Sequence, residues 1–314
     1  MKKFLLKLVV FLSIISFLVL AIVFFVPDSY SLKESLLFSV LDKNRLLEET
    51  ESPRVIFVGG SNLNFGLDSQ QIKDSLGINP INTASHAGLG LIYMLKNTAR
   101  YIKENDIVVV VPEYDHFFEN TMYGGIELNY ALTDITPSIL TSLDIKHILI
   151  QLRYIPQNSS AKVHNYFFED EASNQSTLSI YGRRCFNQYG DIHAHWNLEG
   201  IKVSPREISG EYNPVMIKYL KAFQSEVEEK GGHLLINFPC FQDSSFDISS
   251  SKIKFVENKL SENGFSLLAS PARYRMKNEL FFDTEYHLTK TGVDIRTKMM
   301  IEDLKTALHS IFWK

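Results

Sequence analysis

Residues 54–66 read RVIFVGGSNLNFG, and the fold turns on how this stretch is read. Val55, Ile56, Phe57 and Val58 run without interruption into Gly59-Gly60-Ser61-Asn62. A short apolar run rich in β-branched residues and closed by glycines predicts a strand buried on both faces, as in parallel sheets covered by helices. The pattern on either side keeps that rhythm. A helix is expected over Leu67–Leu76, a strand over Ile78–Asn82, and a helix over Leu89–Lys103 with Leu91, Met94, Leu95 and Ala99 on one side. Ile107–Val111 is again wholly apolar and is stopped by Pro112. After a gap the alternation resumes with a helix at Tyr212–Lys230, a strand at His233–Phe238 and a helix at Ser251–Asn263. A strand at Phe265–Ala269 and a last helix from Thr289 to Ile311 complete it. Strands alternating with helices define an α/β chain. Residues 119–210 break the rhythm, being rich in Asn, Ser, Tyr and Gln, and read as a partly helical insertion over one end of the sheet.

The chain opens differently. Lys2, Lys3 and Lys7 lead into the uncharged run Leu8–Val26, whose 19 residues would span about 30 Å as a helix, the thickness of a bilayer core. A cleaved signal peptide has a shorter apolar region followed by a small-x-small site, for which Ser29-Tyr30-Ser31 is a poor match. The reading is an uncleaved single-pass anchor through residues 8–26, its lysines holding the amino terminus in the cytoplasm. Residues 1–27 then form the anchor, 28–53 a juxtamembrane helix and linker, and 54–314 an extracytoplasmic α/β domain containing the insertion.

Composition narrows the partners. The 314 residues are 45% hydrophobic and 12% aromatic, ample for a large core, and the formal net charge of −4 offers no basic surface for nucleic acid. Cys185 and Cys240, the two cysteines, are far apart and have no metal-binding spacing. They suit either one disulfide or two buried thiols.

Ser61 stands where a parallel sheet places its chemistry, at the carboxyl end of a strand. A serine nucleophile needs a base, usually histidine, oriented by an acid. Residues 280–292, LFFDTEYHLTKTG, supply both: His287 lies just before the last helix, with Asp283 four residues and Glu285 two residues ahead of it. Asp283 is the preferred acid, because Leu280-Phe281-Phe282 anchors it, and Glu285 is the alternative. Capping by Ser61 and simple packing of His287 are the plainer roles against which this pairing is weighed.

On these residues the chain resembles the SGNH/GDSL hydrolase superfamily over about residues 54–117 and 231–305. Gly59-Gly60-Ser61-Asn62 is similar to the family's serine block, Gly88 within NTASHAGLG to its second block, and Asp283–Gly292 to its Asp-x-x-His block. The resemblance implies a three-layer sandwich with a parallel, flavodoxin-like sheet. It also implies a Ser61, His287, Asp283 triad and an oxyanion hole from the Ser61 and Gly88 N–H groups. The third block, Gly-x-Asn-Asp, falls on Pro112-Glu113-Tyr114-Asp115 and does not match, leaving the Tyr114 hydroxyl as the candidate third donor. Its anchor and insertion resemble the membrane-bound branch that acylates envelope polymers, including alginate O-acetyltransferases and the teichoic-acid D-alanylation protein. That branch implies acyl transfer through Ser61 to an envelope glycan, with the glycan or an acylated small molecule as substrate. It implies no cofactor, and a multi-spanning membrane partner supplying the acyl group. An esterase on the same fold, or an inactive glycan-binding module, are the rival readings.

Asn62, His86, Glu113, Asp191 and His193 are candidate substrate-binding residues. In the stretch GDIHAHW, residues 190–196, His193 and His195 would share a strand face with Asp191 near, but no fourth ligand is legible and no metal is expected. Tyr154, Tyr166, Phe167, Phe168, Tyr181, Tyr189 and Trp196 suit either sugar stacking or core packing.

Overall fold

A computed structural model describes residues 1–168 and 180–312. Four parallel strands, β1 (Arg54–Gly59), β2 (Asn79–Asn82), β3 (Ile107–Val111) and β4 (His233–Ile236), form one sheet in the order β2-β1-β3-β4. The register pairs Val55 with Ile107 and Gly59 with Val111, so β1 lies between two neighbours and its carboxyl end opens above the middle of the sheet. The principal helices are α1 (Lys2–Phe25), α2 (Ser39–Glu49), α3 (Ser69–Leu76), α4 (Leu91–Ala99), α5 (Ile145–Leu152), α6 (Ile155–Phe168), α7 (Val215–Glu229), α8 (Asp243–Glu262) and α9 (Lys290–Phe312).

Every residue of β1 and β3 is buried, and the period of two divides them between two cores. Ile56, Val58, Val108 and Val110 pack with Leu47 of α2, Leu95 of α4, Leu220 of α7 and Val256 of α8. Val55, Phe57 and Val109 pack with Ile72 of α3 and with Met300 and Leu304 of α9. Each such side chain contributes about 1.5–3 kcal/mol on burial, which is what holds helices to both faces.

At the amino-terminal edge of the sheet sits a fully buried ion pair, Arg54 with Asp106. Arg54 Nε donates to Asp106 Oδ1 at 2.8 Å, and its other nitrogens donate to the Leu47 and Tyr101 carbonyls at 2.5 and 2.9 Å. One guanidinium thus joins β1, the end of α2 and the turn before β3.

The elements depart from the sequence pattern at a few places, each with a local cause. Helix α4 stops at Ala99 rather than Lys103, because Arg54 takes the Tyr101 carbonyl and Asp106 accepts the Lys103 N–H at 2.8 Å. Helix α8 starts eight residues before Ser251, across a serine-rich segment of low helix propensity. Its buried Ser245 and Ser249 hydroxyls accept the Arg206 and Ile208 N–H groups, both at 3.0 Å. The strand expected at Phe265–Ala269 reduces to one parallel bridge between Leu267 and Ile236, and Pro271 opens a 3₁₀ turn soon after it.

Residues 36–49, within the expected juxtamembrane linker, belong to the α/β body: Val40 and Leu47 are core residues and Lys43 is 2% exposed. The insertion is partly helical, contributing α5, α6 and shorter turns, while its residues 169–179 lie outside the described residues. Helix α1 is long and apolar enough to cross a membrane. It is exposed over most of its length, but Val23 near its end is fully buried. There α6 packs against it, and Lys162 Nζ donates to the Val23 and Val26 carbonyls at 2.7 and 3.4 Å. Lys162 also pairs with Asp28 at 3.1 Å and Asp134 at 2.5 Å.

Candidate active site

Ser61 opens a one-turn helix, Ser61–Asn64, directly after β1. The glycines before it serve by their size rather than by unusual torsion, since Gly60 has φ −82°, open to any residue. A Cβ on Gly60 would come 2.5 Å from Glu113 Oε1, and one on Gly59 would collide with the Val111 carbonyl. The space the glycines leave is taken by β3 and the loop that follows it.

The Ser61 Oγ lies 2.8 Å from His287 Nε2, and His287 Nδ1 lies 2.7 Å from Asp283 Oδ1. These groups come from opposite ends of the domain, joined because the segment before α9 is a hairpin. Phe281 bridges Leu288, and the Phe282 N–H donates to the His287 carbonyl at 2.8 Å. Asp283–Tyr286 is the hairpin loop, which returns the chain so that an acid four residues ahead faces the imidazole. The Thr284 hydroxyl accepts the His287 N–H at 3.1 Å and holds the loop. Glu285 points away, paired with Arg206. Burial works against the charge on Asp283, but the hydrogen bond and charge of His287 outweigh it and hold the carboxyl below its usual value. With Nδ1–H donating to that carboxylate, Nε2 is left as the acceptor facing Ser61.

Two aromatic residues complete the arrangement, neither of them expected in this role. Phe65, one turn beyond Ser61, stacks on the imidazole with centroids 4.2 Å apart and planes 15° apart. Tyr181 of the insertion donates its hydroxyl to Asp283 Oδ2 and lies 3.3 Å from His287 Nδ1; burial and Asp283 push its pKa up. Phe65 had a legible signal in its spacing from Ser61. Tyr181 had none.

The expected oxyanion hole is rearranged. Tyr114 is 1% exposed and packs between Phe238 and Phe241, so its hydroxyl belongs to the core and is no oxyanion donor. The Gly88 N–H already donates to His86 Nδ1 at 3.0 Å. Glu113, expected to bind substrate hydroxyls, takes the place beside the nucleophile. Its Oε1 lies 3.4 Å from Ser61 Oγ and accepts from Asn62 N and Nδ2 at 3.1 and 3.4 Å. The Ser61 N–H, first in its turn, has no acceptor within the helix.

Other expected binding residues are braces. Asn62 is fully buried, its side chain bound to Glu113, the Val111 carbonyl and Arg296 of α9. Asp191 is fully buried and accepts from Ser69 N and Oγ, both at 2.8 Å, and from Asn82 and Asn187; burial raises its pKa. His193 is exposed and lies edge-on to Trp196, while His195 is buried, so a run of turns rather than a strand separates the two rings. Among the described residues no three His, Cys, Asp or Glu side chains are grouped to hold a metal. Cys185 and Cys240 are both buried and are not bridged to one another.

A pocket of about 490 Å³ opens beside this centre. Gly88, Glu113, Asp115, His116, Arg153 and Tyr154 are among its walls, so Glu113 stands between its interior and Ser61. Asp115 is bound by both terminal nitrogens of Arg206, at 3.0 and 2.7 Å, which outweighs burial and keeps its carboxyl below the usual range.

His195 makes stability pH-dependent. It is fully buried behind Phe65 and shares a 3.0 Å contact with the Leu288 carbonyl through Nε2. Burial lowers its pKa from 6.5 to about 4. Between those values the unfolded chain binds a proton that the folded chain refuses, so stability falls as pH drops from 6.5 to 4. The loss approaches about 3 kcal/mol. Urea unfolding at pH 7 and pH 4.5 is expected to show this fall, and His195→Gln should flatten it.

In comparisons with known proteins, no family model matches the chain and no curated protein matches it.

Proposed function

We propose that this chain is a membrane-anchored serine acyl-transfer enzyme of the SGNH type, acting outside the cytoplasm on hydroxyls of an envelope glycan. The observation that carries the reading is the continuous hydrogen-bonded line Ser61, His287, Asp283, at 2.8 and 2.7 Å. The strand order, with the site at the carboxyl ends of β1 and β3, is also that of a flavodoxin-like sheet, as the family has. Burial of Val23 and its fastening by Lys162 favour a retained anchor over a leader that is removed.

In the first half-reaction Ser61 Oγ bonds to the donor's acyl carbon as its proton passes to His287 Nε2. The tetrahedral intermediate collapses, the bond to the donor's leaving oxygen breaks, and that oxygen receives the proton from His287. In the second half, His287 takes the proton of an acceptor hydroxyl, whose oxygen bonds to the acyl carbon; the bond from that carbon to Ser61 Oγ then breaks and Oγ receives the proton back from His287. Water in place of the glycan hydroxyl would make the same centre an esterase. Asp283 holds the imidazole in the required tautomer and stabilises its charged form. The donor is expected from a multi-spanning membrane partner, since one anchor helix moves nothing across a bilayer.

Fluorophosphonate labelling of the full chain in detergent tests this. An adduct on Ser61, absent in Ser61→Ala, is the expected result. No adduct under conditions that label a reference serine hydrolase would sink the catalytic reading.

Glu113 favours a second reading, an inactive glycan-binding module, because a carboxylate accepts hydrogen bonds and repels a developing oxyanion. Glu113→Gln separates the two. The amide keeps an acceptor for the Asn62 N–H and adds a donor beside Ser61 Oγ. If the centre is catalytic, kcat on 4-nitrophenyl acetate should rise roughly tenfold or more, since one oxyanion donor is worth about 10²–10³ in rate. An inactive module would stay inactive.

A further inference from the structure

Outside α1, the most exposed aromatics among the described residues are consecutive and close α6: Tyr166, Phe167 and Phe168 are 64%, 70% and 74% exposed. Successive helical residues are about 100° apart, so these rings cover more than half the circumference of the helix end. One packing partner inside the protein would leave most of that surface uncovered. Yet α6 is not remote from apolar surroundings. Lys162 joins it to the carbonyls that end α1, and Phe168 is six residues, or about 9 Å, further along. The end of α1 carries exposed aromatics of its own, Phe24 at 56% and Phe25 at 84%. Aromatic rings gathered at the end of a membrane span are the mark of the lipid–water interface.

We propose that Tyr166, Phe167 and Phe168 are seated in phospholipid at the membrane interface, making α6 a second membrane contact continuous with the anchor. This rests on the anchor reading of α1. It also narrows the substrate. Arg153 and Tyr154, just before α6, line the pocket beside Glu113, and α6 is 14 residues long. Its length of about 21 Å is then the furthest its pocket end stands from the lipid-seated end. The site serves an acyl donor or acceptor held at the bilayer surface in preference to a polymer free in solution.

The experiment uses the full chain in phosphatidylcholine–phosphatidylglycerol vesicles whose acyl chains carry bromine, a short-range quencher of tryptophan. Leu12→Trp in α1, Phe167→Trp in α6 and Phe255→Trp in α8 are compared with the unsubstituted chain. Phe255 is 40% exposed and serves as the solvent-facing reference. Excess quenching for Leu12→Trp and Phe167→Trp, and none for Phe255→Trp, is expected. Quenching of Leu12→Trp alone overturns the lipid contact and leaves the anchor standing. A blue-shifted but unquenched Phe167→Trp overturns it too, in favour of a protein covering the patch. Leu12→Trp unquenched removes the anchor reading and this inference with it.

Discussion

On the proposed function, Asp283→Asn is expected to lower the acyl-transfer rate by about 10³–10⁴-fold, with KM little changed. The substitution keeps the shape of the side chain but reverses its hydrogen bonding. Asp283 accepts from His287 on one oxygen and from Tyr181 on the other. An amide satisfying the Tyr181 hydroxyl through its oxygen turns its NH₂ towards Nδ1. That forces the tautomer in which Nε2 carries a proton and cannot take the one on Ser61. Kinetics on 4-nitrophenyl acetate measure the loss, and Glu285→Gln, whose carboxylate faces Arg206, should leave the rate within about twofold. If Glu285→Gln proves the crippling variant and Asp283→Asn the mild one, the acid has been misassigned.

The largest effect on stability is expected at the far edge of the sheet. Asp106→Ala leaves the guanidinium of Arg54 fully buried and without its counter-charge, at a cost of about 3–5 kcal/mol. Urea unfolding monitored by circular dichroism reads the shift in midpoint. The double variant Arg54→Met with Asp106→Leu removes both charges and should recover most of the loss, because the desolvation of an unpaired ion causes it. Activity per folded molecule should not change, since the pair sits at the opposite edge from Ser61. A single variant as stable as the parent would show that the pair contributes nothing.

How far these features can be read from sequence depends on how local their cause is. The apolar runs of β1 and β3 are set by adjacent residues, and both strands stand within a residue of where the pattern puts them. Ser61 and His287 are equally legible, each framed by its own strand, turn or helix start. Asp283 is preferred to Glu285 on the apolar residues before it, but the hairpin that turns it to the imidazole, with Phe282 and His287 paired across the loop, is not visible in the sequence. The direction of Glu113 was also hidden. Residues 113 and 114 are adjacent, and only the packing of Tyr114 against Phe238 and Phe241 decides which one turns towards the serine. Tyr181 reaches Asp283 across 102 positions, a separation at which no periodicity carries information.

Lys43 is the residue whose consequences reach furthest. Its amine, from α2, bonds the Asn64 side chain at 2.6 Å and the Ala84 carbonyl, directly behind the turn that carries the nucleophile, and burial lowers its pKa well below 10.5. Arg296 grips the same turn from α9 through Asn62. Ser61 is thus clamped from both ends of the chain. A protease cutting between Phe25 and Ser35 would sever the connection to α1 with the clamp intact, whereas a cut near Thr50 would separate the segment carrying Lys43, whose loss strands two buried oxygens behind Ser61. Loss of the α1 connection and loss of the clamp are separate events, set apart by fewer than thirty residues.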